Sequence, residues 1–509
     1  MNSLIALGPG SSLGQGSLLG QADAGAVVAV SNRDRRSRTE STVGAASIES
    51  HSVRWKIVSL CAVLIGGCFL MTEHSLHVSH EDDFSLSAET MQSEADGGNS
   101  LRRIAFLSLA VCGLIAGVSA RDQGSMTVPA REEGDSGSRS STQDSAVRTT
   151  SSAAGLFLKL LLGLTASWAI LSVCWSHDPS FTIRRLIVLL CSLTAAWGFS
   201  RALRPAELVL LAVLFCSATL GFGLVVELQQ GTFRPWSGGY RFAGTLHPNT
   251  QGLYLNALCL GAFVLLRTAT RIDWRLIVLL GIGLTFLVLT KSRTSTAGVI
   301  AGLALLTLLH NRISSGPVLA GLFCLWGGLC VLLIAALADL NPWAEFKSIL
   351  LMGRTEQAES LTGRLPIWQE VWKYICERPL CGYGYDSFWT PEHIDRISNE
   401  VEWGVREAHS SYLEVWLNLG LIGLFLLVGL LCSSVVIAGW RYRSQHNPAA
   451  GLLCALGAYG LLNSFTESGL VMPLFVPFLM GMALFQLAGT KSSSHSPTTS
   501  LLPAHGAAS

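Results

Sequence analysis

His409 stands at the last polar step of EAHSSYLEVWLNLGLIG, Glu407 to Gly423, just before a long apolar run. A histidine there is either the polar trim of a helix leaving lipid or a general base at the membrane surface. Its unperturbed pKa of about 6.5 suits a base at neutral pH. Charged and polar residues stand at similar edges elsewhere. YRFAGTLHPNTQG, Tyr240 to Gly252, carries Arg241 and His247; TKSRTS carries Lys291 and Arg293; LTGR carries Arg364; NSFTES carries Glu467. Taken singly, each has a plain reading: interfacial anchors and a helix cap, a snorkelling pair, a solvated loop charge, the flank of a turn. Taken together, several fixed cations suit an anion at the membrane surface, because a guanidinium is a planar fork that matches phosphate oxygens. A lipid-linked diphosphate is such an anion.

The elements that must position these residues are membrane helices. The 509 residues are 50% hydrophobic and only 14% charged, against about 25% charged in soluble domains. Lysines and arginines number 35 and acids 34, so no basic excess points to nucleic acid. A span needs roughly 20 apolar residues. By that rule the chain reads as an all-α, polytopic integral membrane protein of about twelve spans. They begin near Trp55, Ile104, Ala154, Leu186, Ala206, Thr250, Trp274, Thr294, Pro317, Tyr412, Ala450 and Leu470. Between the spans at Trp274 and Thr294, TKSRTS is either a tight hairpin or a break in a re-entrant segment. The 13 cysteines show no paired zinc-type spacing, and most lie in apolar runs. No nucleotide-binding glycine loop, Asp-x-Asp or carboxylate–histidine metal cluster is present, so no cofactor is expected.

Residues 1–52 read as a disordered cytoplasmic tail rich in Gly, Ser and Ala. Residues 53–120 hold two N-terminal spans, 121–153 a polar linker and 490–509 a second disordered tail. Residues 154–489 form the main membrane domain, with a large outward loop, 341–409, before the tenth span. In that loop GRLPIWQEVWKYICERP places Leu365, Trp368, Val371, Trp372 and Ile375 on one helical face. Pro366 suits the first turn of that helix and Pro379 its end. The helix either lies in the headgroup layer or belongs to a small cap packed on itself. With a cytoplasmic N-terminus, Arg201, Arg204, Arg267, Arg271, Arg275, Arg441 and Arg443 fall inside, as the positive-inside rule asks. Arg102, Arg103, Arg184 and Arg185 fall outside, against it. All the candidate site residues then share the outer face.

The order of these pieces resembles the O-antigen ligase and O-antigen polymerase superfamily, including exopolysaccharide polymerases. The similarity runs over roughly 154–489. It rests on RFAGTLHPN, KSRTS, LTGRLPIWQEV, RPLCGYGYDSFW and AHSSYLEVWLNLGLIG, the last with His409, Ser410, Gly420 and Gly423 at the family's spacing. The resemblance implies metal-independent, inverting glycosyl transfer at the periplasmic face of a bacterial inner membrane. The donor would be a polyprenyl-diphosphate-linked glycan, the acceptor a growing glycan or lipid A core, with membrane lipids as the surroundings. It makes His409 the base and Arg241, Arg293 and Arg364 the phosphate or sugar contacts, with Lys291, His247 and Glu467 beside them. Leu424, where many ligases carry a smaller residue, leans toward a polymerase. Gly420 and Gly423 are expected to let a neighbouring helix approach. In an oxidising periplasm Cys376 and Cys381 are either a disulfide or two free thiols. A multi-span transporter of a polar or anionic solute is the alternative; it predicts an internal repeat and midplane polar groups, neither of which the sequence offers.

Overall fold

The computed structural model describes residues 54–74, 100–125, 141–311, 360–401 and 404–489. The chain divides into two units, Met1–Leu60 and Cys61–Ser509. Only the opening turns of the first helix are described in the smaller unit; the larger unit holds the bundle and the candidate site residues. In chain order the helices are α1 (Arg54–Glu73), α2 (Ser100–Ser125), α3 (Ser141–Leu171), α4 (Pro179–Ala202), α5 (Pro205–Gln230), α6 (Pro248–Thr268) and α7 (Trp274–Leu289). Then come α8 (Arg293–His310), α9 (Ser360–Glu377), α10 (Pro391–Val401), α11 (Ser411–Gln445), α12 (Pro448–Asn463) and α13 (Phe475–Gly489). No strand occurs among the described residues.

Eleven of the twelve expected spans are apolar helices. Eight are long enough to cross a membrane, and α7, α12 and α13 are shorter. The span expected from Pro317 lies outside the described residues, as do the 1–52 and 490–509 tails. The expected linker 121–153 is helical at both ends, because α2 continues to Ser125 and α3 already begins at Ser141. Extending a formed helix fixes one residue per added bond, whereas starting one is costly. TKSRTS is a tight hairpin: α7 ends at Leu289, Lys291 turns the chain at φ 52°, and α8 starts at Arg293.

Proline sets several starts, standing first in α4, α5, α6 and α12, where its missing N–H is no loss. Asp178 caps α4 by accepting from Phe181 N at 3.0 Å, and Asn447 caps α12 by accepting from Ala450 N at 3.1 Å. The helix α6 is central: 72% of its apolar window is buried, against 17% for the window that covers α3. The second N-terminal span packs directly into the bundle. Gly113 of α2 meets Gly198 of α4 so closely that a Cβ on Gly198 would sit 1.8 Å from the Gly113 carbonyl.

The described part of the 341–409 loop is a folded cap. Ile367, Val371, Tyr374 and Ile375 of α9 are buried with Tyr383, Phe388, Trp389, Ile394 and Ile397. The face expected from the spacing is therefore rotated: Leu365 and Trp372 are exposed, and Ile367 and Tyr374 face the core. Pro366 lies inside α9 rather than in its first turn, since the helix starts at Ser360. Gly420 also does something other than expected. It interrupts α11 at φ 69°, and the turn after α9 docks into the break: Leu421 N donates to the Pro379 carbonyl at 2.9 Å. The freed Leu419 carbonyl accepts from Trp168 Nε1 of α3 at 2.9 Å. A Cβ on Gly420 would lie 2.0 Å from the Leu380 carbonyl oxygen, so backbone, not a neighbouring membrane helix, occupies the space. Cys376 and Cys381 are free thiols, and no disulfide joins them. Cys376 is exposed on the last turn of α9, while the Cys381 carbonyl is tied to Trp175 Nε1 at 2.9 Å.

Candidate active site

Arg241 rides on a loop held by a buried carboxylate. Glu227, near the end of α5, accepts from Ala243 N at 3.0 Å, Gly244 N at 2.7 Å and Tyr240 Oη at 2.5 Å. Gly244 takes φ 64° and packs on Gly223, where a Cβ on either would clash. With its backbone fixed, Arg241 is braced at two points: Nε donates to the Thr290 carbonyl at 3.1 Å and Nη2 to Asn249 Oδ1 at 2.9 Å. Asn249 in turn donates to Glu467 Oε1 at 2.7 Å, and Arg364 Nη2 donates to the same oxygen at 2.7 Å. One carboxylate from the turn after α12 thus joins the first turn of α6 to the cap helix α9. Arg293 completes the group, close enough to Arg241 and Arg364 to feel both charges. Burial raises the Glu467 pKa above the usual carboxylate range, although Arg364 and His409 pull the other way.

His409 is placed from three sides. Trp368 Nε1 donates to the Ala408 carbonyl at 2.9 Å, and Glu414 Oε2 accepts from Ala408 N at 2.9 Å. Ser410 caps α11, and the Ser411 N and Oγ both bond the Glu467 carbonyl, at 3.1 and 2.8 Å. His409 itself adopts φ 50°, a left-handed conformation uncommon outside glycine. Its Nδ1 lies 3.1 Å from Glu407 Oε1. Burial pushes the Glu407 carboxyl up, but the His409 hydrogen bond and the charges of His409, Arg406 and His247 outweigh it, and the group is held below the usual range. A carboxylate that accepts from Nδ1–H fixes the tautomer and puts the ring's lone pair on Nε2.

The structure thus gathers Arg241, Arg293, Arg364, Glu467 and His409 at one end of the bundle. His247 caps α6, its Nδ1 accepting from Asn249 N at 3.3 Å, and its ring stands near enough to act on Glu407. Lys291 donates to the Gly238 carbonyl. Sequence reasoning gave no role to Glu407 or Glu227, and read Asn249 only as an interfacial residue near a helix start. The signals were thin: an acid two residues before the histidine, an amide one residue after a proline, and one acid ending an apolar run.

The O-antigen ligase family profile matches residues 276–428. That stretch carries Lys291, Arg293, Arg364 and His409, while Arg241, His247 and Glu467 lie outside it. The exopolysaccharide production protein ExoQ of Rhizobium meliloti is 29% identical over 133 residues, which cover 25% of this chain and 31% of that relative. The chain therefore matches only about a third of the curated relative's length. Over residues 276–428 the chain thus matches the O-antigen ligase family, and the relative and the helical membrane architecture support a likeness to the O-antigen ligase and polymerase-like superfamily.

Proposed function

We propose that the chain transfers a glycan from a polyprenyl diphosphate to an acceptor hydroxyl at the periplasmic face of a bacterial inner membrane, in O-antigen ligation or polysaccharide polymerisation. The observation that carries this reading is the meeting of Arg241, Arg293 and Arg364 with the Glu407–His409 pair around Glu467. The arginines hold the donor's diphosphate and take up the charge that grows as its bond to the sugar breaks. Preorganised donors of this kind stabilise a developing anion without reorganising at the moment of reaction. His409 Nε2 takes the proton of the acceptor hydroxyl as its oxygen attacks the anomeric carbon from the opposite face. The sugar–oxygen bond to diphosphate breaks, a glycosidic bond forms with inversion, and the lipid diphosphate leaves. Glu407 keeps the ring oriented and stabilises the imidazolium. In this scheme arginines supply the charge stabilisation and no metal is required.

The test is a transfer assay with purified lipid-linked donor. His409→Ala is expected to lower turnover by about 10²–10⁴-fold, the usual worth of a general base, with donor binding kept. His409→Gln is expected not to rescue it, because an amide cannot take a proton at neutral pH. Near-wild-type turnover in His409→Gln makes His409 a positioning residue and sinks the mechanism.

A further inference from the structure

The four arginines that break the positive-inside pattern head a cavity. Arg102 and Arg103 stand in the first turn of α2, and Arg184 and Arg185 in the second turn of α4. All four line a groove of about 890 Å³. Cations near a helix N-terminus oppose the macrodipole, so these positions favour an anion above them. Among the described residues the lining carries two carboxylates. Asp386 Oδ2 lies 3.4 Å from Arg185 Nε, and Glu414 is occupied by Trp389 Nε1 at 2.6 Å and Ala408 N at 2.9 Å. Arg184 and Arg185 rest over the Phe181 ring at 5.3 and 4.9 Å. Among the described residues the lining thus carries four arginines against two carboxylates, with Glu73 beside it also acting on Arg102.

Below the arginines the groove is mostly apolar, with Ser192 and Ser434 among its few polar residues. Its walls continue down α4 through Leu189 to Ala196 and down α11 through Leu427 to Leu431. At a rise of about 1.5 Å per residue, Ala196 lies about 18 Å below Arg184 along the helix. That is more than half of a hydrocarbon core about 30 Å thick. A free phosphate would satisfy only the head of such a site. A lipid with a phosphate head and one long chain fits both parts. None of the groove's residues is Arg241, Arg293, Arg364, Glu467 or His409, yet the two sites share a wall. Glu414 lines the groove and holds the amide of Ala408, the residue before His409.

We propose that this groove is a second lipid-phosphate site, which takes a polyprenyl phosphate or diphosphate with the head at Arg102, Arg103, Arg184 and Arg185 and the chain along α4 and α11. On the glycosyl-transfer function proposed for the chain, on which this step rests, its occupant is the acceptor. Both substrates are then lipid-linked, which makes the reaction polymerisation rather than ligation to a lipid A core.

The experiment uses the full-length protein in nanodiscs and a polyprenyl phosphate with a photoreactive group on its chain. Label is expected on peptides covering 185–196 and 421–431. It is expected to fall at least about tenfold in Arg184→Gln/Arg185→Gln and in Leu189→Trp, which fills the groove without touching its charge, and to persist in Arg241→Lys. Leu189→Trp decides alone if the double variant fails to fold. No wild-type label on those peptides, label on them unchanged in a folded Leu189→Trp variant, or label on them displaced equally by phosphatidylglycerol overturns the site. Labelling needs no turnover, so a labelled but inactive protein sinks the transferase reading and leaves the groove standing. In the transfer assay, Arg184→Gln/Arg185→Gln is expected to raise the KM for a lipid-linked acceptor about tenfold with kcat nearly kept. An unchanged KM removes the acceptor assignment.

Discussion

Two arginine groups sit at the site end of this bundle, and they are built in opposite ways. Arg241 and Arg364 are held by polar partners, Thr290, Asn249 and Glu467, and Arg293 stands within reach of their charges. Arg184 and Arg185 rest on an aromatic face at the head of an apolar groove, with one ion pair to Asp386. The first arrangement fixes the direction of each guanidinium before any ligand arrives, which suits stabilising a charge that develops at one place. The second fixes only the sign of the charge and leaves the apolar walls to do the rest, which suits anchoring a lipid. The same residue type thus serves geometry in one place and attraction in the other.

The largest expected effect separates the two groups. Arg241→Lys should lower transfer about 100-fold at equal membrane abundance, because an ammonium cannot reproduce a braced fork. Arg184→Lys/Arg185→Lys should stay within about threefold of wild type, because lysine binds phosphate well as a point charge. Equal losses in a transfer assay of the two variants would collapse the distinction.

A smaller effect concerns two acids beside His409, whose shifts have opposite signs. Glu407 is held below its ordinary value, so its contribution to stability is present above that value and is lost as pH falls through the folded pKa. Glu467 is raised by burial, so stability falls as pH rises from the ordinary carboxylate range through its folded pKa. In detergent, Tm against pH should therefore lose part of its acid limb in Glu407→Gln, whereas Glu467→Gln should flatten the decline above the carboxylate range. Parallel profiles for the two variants would show that the acids do not differ in this way.

The smallest expectation is an absence of change. Cys376 and Cys381 are both free, so a thiol reagent should label the folded protein to the same extent with and without prior reduction. Labelling that appears only after reductant would restore the bridge.

Much of the architecture was legible because it is written locally. Apolar length marks a span wherever it occurs, and Pro179, Pro205, Pro248 and Pro448 mark starts by their missing N–H. The cap was legible only in outline. Val371 and Ile375 face its core as their spacing said, but Leu365 and Trp372 do not, because hydrophobicity does not tell a buried face from one left on the surface. Gly420 stands out in the sequence but misleads there, since a glycine in an apolar run looks like a helix contact until the turn from Pro379 is seen inside the break.

By itself, then, the sequence determined that this is an all-helical membrane protein with histidine and arginine at the edges of its spans, because hydropathy and capping act over a few neighbouring residues. Only the tertiary structure decided which of those edges meet. Arg364 finds Glu467 across 103 residues and Asn249 finds it across 218. Glu407 is close in sequence, but its pairing with His409 depends on the left-handed turn that Trp368 and Glu414 impose on the residues around it. Partners of this kind come from how helices pack, and packing is a property of the whole bundle that no local pattern contains.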